Sequence, residues 1–192
     1  MLPGTLKIRI TEREPVAQFL FPQQRAGGPV ERGIYTFDSQ GFVMLPLDAR
    51  QTSVPGAHTN DLWPVITGLS ANQLRLGRRV EQPQVHAALR LIGAFERSAL
   101  SGQADLKQID VSAPDILLVT TGQGSEVIFG TGDFEAQLRR WRAVADLGIK
   151  AGRLVRTLDL SVSNNVPVRW LEASAVAPVP PKLIKPLRKK NV

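Results

Sequence analysis

Two stretches of this chain repeat their apolar residues at helical spacing, and all other regular patterning is short and strand-like. Val85, Leu89, Ile92 and Phe95 fall on one stripe of a helix predicted over 83–100. Pro83 suits its first turn, where a missing N–H costs nothing. Phe134, Leu138, Trp141 and Ala145 form the second stripe, with Asp133 placed to cap it and Arg139, Arg140 and Arg142 off the stripe. A chain with two helices among many strands must bury one helix stripe each against a sheet.

The strand patterns follow in order. Leu6, Ile8 and Ile10 alternate with Lys7 and Arg9, which reads as a half-buried strand over 5–11. A second strand over 15–20 starts at a proline. Strands over 34–37 and 42–45 flank Asp38-Ser39-Gln40-Gly41, whose first and last residues suit a type I turn. Residues 62–68 are a short apolar segment ending in glycine. A strand over 106–111 precedes a hairpin over 116–120 and 126–129, turning at Gly122-Gln123-Gly124. The last hairpin pairs 155–162 with 166–170 through Ser163-Asn164-Asn165, since Asn tolerates the positive φ of tight turns. Strands and helices do not alternate in a regular βαβ rhythm. The expectation is an α+β fold, a mostly antiparallel sheet with two helices packed on it and no internal repeat.

With 192 residues, 43% of them hydrophobic, the chain has material for a core that needs no staples. It has no cysteine, which excludes disulfides and thiolate zinc sites. The formal charge is +7, of which Lys182, Lys185, Arg188, Lys189 and Lys190 supply five, leaving +2 for residues 1–181. The excess therefore sits on a proline-rich and basic stretch over 174–192, predicted to be a disordered tail that suits an anionic surface. No apolar run reaches the roughly 18 residues of a membrane span, and no signal peptide is visible.

The chemistry-bearing residue types do not converge. His58 and His86 are the only histidines and have no acidic cluster beside them. Gly122-Gln123-Gly124 and Gly130-Thr131-Gly132-Asp133 lack phosphate-loop spacing, and Asp133 puts a carboxylate where a phosphate would sit. Glu12 and Glu14 share a strand face at a solvated end before Pro15. Arg139-Arg140-Trp141-Arg142 combines base-stacking and phosphate-binding residue types, but Trp141 lies on the apolar stripe. These readings expect no catalytic, cofactor or metal site and make nucleic acid a poor partner. The alternative they leave is a cytoplasmic basic protein binding nucleic acid or another polyanion.

Five segments in order resemble the FtsQ/DivIB family of bacterial cell-division proteins. They are Glu12-Arg13-Glu14-Pro15-Val16-Ala17, Phe37-Asp38-Ser39-Gln40-Gly41-Phe42-Val43, Trp63-Pro64-Val65-Ile66-Thr67-Gly68, Val127-Ile128-Phe129-Gly130, and Leu158-Asp159-Leu160 running toward Trp170. The resemblance covers about residues 3–172 and implies three parts. Residues 1–14 would end a POTRA domain, 15–173 would be the FtsQ/DivIB β domain, and 174–192 the tail. In that family a cytoplasmic tail and a membrane helix come before the POTRA domain. The implied setting is the cell inner membrane with the domain facing the periplasm. The implied role is a non-catalytic divisome scaffold for septum formation.

The resemblance also implies a partner and a surface. The family binds FtsB/DivIC-type and FtsL-type division proteins by strand addition beside the last strands of the β domain. Carried over by position, the contact residues are Leu160, Val162, Asn164, Val168, Arg169 and Trp170. Leu160 and Val162 would offer apolar contact, Asn164 would hold the turn, Arg169 would meet an acidic group, and Trp170 would anchor by size.

Overall fold

A computed structural model describes residues 12–24, 30–45, 63–162 and 165–171. The expected strand over 5–11, His58, Asn164 and the segment 174–192 lie outside the described residues. Nine strands are described: β1 Pro15–Gln24, β2 Val30–Asp38, β3 Val43–Met44, β4 Val65–Thr67, β5 Leu106–Asp110, β6 Ile116–Thr121, β7 Glu126–Gly130, β8 Val155–Asp159 and β9 Val168–Trp170. Helix α1 spans Pro83–Arg97 and α2 spans Phe134–Lys150. All nine strands join one sheet in the order β3-β2-β1-β4-β5-β6-β7-β8-β9.

The fold is α+β, but the sheet is mixed. Five neighbouring pairs are antiparallel, while β1–β4, β4–β5 and β7–β8 are parallel. Each helix is the crossover between two adjacent parallel strands, α1 between β4 and β5 and α2 between β7 and β8. The absence of βαβ units expected from sequence is therefore corrected. β4 has three residues, too few for alternation to register. β7 was legible only as the return strand of a hairpin, and its parallel partner lies beyond a 17-residue helix.

Both helices sit on one face. Their stripes meet the inward residues Ile66, Ile109, Leu117, Val119, Val127, Phe129 and Leu158, all fully buried. Trp141 is the junction. Its ring lies 5.8 Å from Phe95 of α1 and 5.9 Å, edge-on, from Phe129 of β7. Burying a side chain of this size contributes about 3 kcal/mol, and each ring pair adds about 1 kcal/mol. Trp141 is thus core and has no face for a nucleic-acid base.

Local signals explain the joints. Asp133 caps α2 as expected, its Oδ1 accepting the Ala136 N–H. Gln137, buried one turn in, accepts the Gly130 N–H at 2.8 Å and donates to the Gly130 and Gly132 carbonyls. The glycine-rich loop before α2 is occupied by its own helix and leaves no anion cradle. Gly41 closes the β2–β3 turn at φ 85°. His86 braces the same turn. It is half-buried, its Nε2 stands 2.7 Å from the Val80 carbonyl oxygen, and its ring packs against Gly41.

Candidate protein-binding edge

The sheet ends at β9, and nothing among the described residues pairs with its outer side. Hydrogen bonding fixes which groups point outward. The Leu171 N–H donates to the Leu154 carbonyl, and the Asp159 N–H donates to the Pro167 carbonyl. Residues 167, 169 and 171 therefore turn their backbone toward β8. By alternation, the N–H and C=O groups of Val168 and Trp170 face away from the sheet. An edge only three residues long is the usual compromise between offering a strand site and avoiding aggregation.

Side chains alternate the other way. Val166, Val168 and Trp170 pack against the helix-side core, while Arg169 is exposed on the opposite face. Trp170 is half-buried, with its ring against Gly148 of α2. A Cβ at Gly148 would stand 2.8 Å from the Trp170 ring and 2.8 Å from the Arg153 carbonyl oxygen. Glycine is what lets β9 close under the helix end.

The six residues expected at this site separate into different environments. Val162 is 44% exposed, and Arg169 is exposed. Val168 and Trp170 are half-buried with outward backbone. Leu160 is fully buried, and its N–H donates to the Ile128 carbonyl at 2.8 Å. It supports the hairpin from inside and offers no contact surface, because it continues the buried face of Val155 and Leu158. Asn164 lies outside the described residues.

Sequence reasoning missed four features of this edge. Arg140 clamps the segment after β8, donating to the Leu160 carbonyl at 2.8 Å and the Val162 carbonyl at 2.6 Å. Gly148 has no sequence signal apart from being a glycine inside a helix. Arg156 is the extra residue of a β-bulge between Val155 and Thr157. Leu147 and Ile149, which flank Gly148 in sequence, are 61% and 66% exposed. The exposed cations Lys150, Arg153, Arg156 and Arg169 surround the same end.

Among the described residues there is no group of acidic or histidine side chains able to hold a metal, and no helix is long and apolar enough to cross a membrane. The described cavity, about 450 Å³, lies at the start of α1 between Ser70, Gln73, Glu81, Gln82, Pro83 and Gln84, away from β9. No protein-family model matches the chain. A comparison with curated proteins finds a cell-division protein FtsQ from Anaeromyxobacter sp. (strain K), 28% identical over 158 residues. The chain is similar to a cell-division protein. The match covers 82% of this chain and 48% of the relative, so the chain spans about half the length of the protein it matches.

Proposed function

We propose that this domain is a non-catalytic scaffold of the bacterial division machinery, acting as FtsQ/DivIB-type β domains do. It binds an FtsB/DivIC-type or FtsL-type partner, which adds a strand to β9. In this reading the domain works on the periplasmic side of the cell inner membrane and serves septal wall synthesis. The observation that carries the proposal is the outward backbone of Val168 and Trp170 beside a half-buried tryptophan. Backbone pairing supplies affinity in strand addition, and alternate side chains supply selectivity. The similarity to FtsQ favours a division protein as the source of that strand.

The test is amide hydrogen exchange on the purified domain, titrated with the extracytoplasmic segments of the organism's FtsB- and FtsL-type proteins. Strand addition slows exchange at Val168 and Trp170 on binding. Binding that leaves both amides unprotected refutes the mode, and no binding refutes the partner.

A further inference from the structure

The structure contains a repeat that the sequence concealed. The unit β4-α1-β5-β6 recurs as β7-α2-β8-β9. In each unit a parallel strand pair is joined by a helix, and the second strand turns back as a hairpin. The two hairpins match in register, each residue of the first having its counterpart 49 positions later. Leu106, Gln108 and Ile109 pair with Thr121, Thr120 and Val119. Val155, Thr157 and Leu158 pair with Trp170, Arg169 and Val168. Both carry a bulge at the same place, at Lys107 and at Arg156. Both end in the same turn. Asp110 Oδ1 accepts from the Ser112 N–H and hydroxyl, and Asp159 Oδ1 accepts from the Ser161 N–H and hydroxyl.

The units differ in what lies beyond them. In the first, β7 occupies the outer edge of β6, running antiparallel. In the second, the equivalent outer edge of β9 is open among the described residues. The outward groups correspond as well. The Thr121 N–H and carbonyl bond toward the β7 side, through Ser125 and Gly124, and Thr121 is the counterpart of Trp170.

We infer that the strand accepted by β9 copies β7: it runs antiparallel to β9 and reads acidic–apolar–any–aromatic, the first residue facing Arg169. On β6, Glu126 stands opposite Thr120, Val127 opposite Val119, Ile128 opposite Leu118 and Phe129 opposite Leu117. Moved by 49 positions, those partners become Arg169, Val168, Pro167 and Val166. The acidic residue then lies on the open face beside the Arg169 guanidinium. The two apolar residues lie on the helix side, next to Val168 and Val166. Charge agrees with this, because Lys150, Arg153, Arg156 and Arg169 make this end of the sheet basic. A one-residue slip would bring every side chain to the wrong face. The inference rests on strand addition at β9 and adds the partner's chemistry to it.

The experiment uses capped peptides against the whole chain, read by amide shifts and affinity. One peptide carries Glu-Val-Asn-Phe and the other Glu-Asn-Ile-Asn, each between Gly-Ser and Gly. The first is expected to shift Val168 and Trp170 and to bind at least about tenfold tighter, two helix-side apolar residues being at stake. Replacing its Glu by Lys is expected to weaken binding about threefold, and Arg169→Glu in the domain to reverse that preference. Equal affinity of the two peptides at β9, or no effect of the charge exchange, overturns the inferred pattern while leaving strand addition intact. Failure of the first peptide to reach β9, where the division partner protects Val168 and Trp170, also overturns the pattern. Failure of peptides and partner alike overturns the strand-addition reading with it.

Discussion

The Trp170 ring lies so close to Gly148 that a single methyl group on the helix would enter it. This contact couples the last turn of α2 to the last strand of the sheet. On propensity alone, Gly148→Ala would stabilise the helix by about 1 kcal/mol. The methyl also meets the Arg153 carbonyl, which is backbone and cannot swing aside. The expected outcome is a net loss of about 1–3 kcal/mol, as for other overpacked sites. Urea denaturation gives the loss, and a shift in tryptophan emission reports the displaced ring. Unchanged stability would mean that β9 moves freely.

At the opposite end of the sheet, Asp38 holds three donors. Its Oδ1 accepts the Gln40 and Phe42 N–H groups, and its Oδ2 pairs with Arg13. The Arg13 guanidinium also stacks 3.6 Å over the Phe42 ring. Asp38 is buried while Arg13 is partly exposed, so the turn bonds outweigh the ion pair. Asp38→Ala is therefore expected to cost about 2–3 kcal/mol, and Arg13→Ala about 1 kcal/mol. Thermal melts of the two variants test the order. Equal costs would put the ion pair first.

Much of the fold was legible because its signals are local. The helix stripes, the Asp133 cap, the Asp38–Gly41 turn and the 116–129 hairpin each lie within a few residues of the groups that define them. The parallel pairing was not legible, since β4 meets β5 only after α1 and the connection leaves no periodicity. Leu160 was expected as a contact because the family resemblance carries that position over. Alternation from Leu158 puts it on the buried face, and its full burial shows which side is inside. The repeat was hidden because its two hairpins share identical residues at few described positions, among them Asp110/Asp159, Ser112/Ser161 and Val119/Val168. Conservative exchanges such as Lys107/Arg156 account for only part of the remainder.

The Ser112 hydroxyl, 2.5 Å from Asp110 Oδ1, holds the Asp110 carboxyl below the usual aspartate range. The Ser112 N–H and the Thr67 hydroxyl add to the effect, and partial burial opposes it. A carboxyl depressed in the folded state stabilises the fold above its unfolded pKa. That contribution disappears as pH falls through the folded value. Ser112→Ala is expected to raise the Asp110 pKa toward the ordinary range, seen by carbon-detected titration, and to weaken the fold near neutral pH more than below pH about 3. An unmoved titration would show that the hydroxyl is not the cause.

Gln137 stands between α2 and the loop that ends β7, with both ends of its amide engaged. Gln137→Leu keeps the volume but leaves the Gly130 N–H and carbonyl without this partner in a half-buried place. The expected cost is about 2–4 kcal/mol, the penalty of two such groups left unmade. Chemical denaturation measures it. A loss below about 1 kcal/mol would mean that water replaces the amide.

Val168 separates folding from binding better than any other residue at the edge. Its N–H points away from β8, so a proline there removes a donor the fold does not use. Proline is tolerated on edge strands where the missing N–H faces outward. Arg169→Pro instead removes an inward donor and is expected to loosen β9 itself. Val168→Pro should keep a melting temperature close to the parent's and still lose binding at least about tenfold, since an incoming strand loses a backbone bond at the centre of a short edge. Calorimetric titration against the division partner, with circular dichroism on both variants, makes the comparison. Full affinity in a folded Val168→Pro domain would show that binding does not proceed through the outer backbone of β9.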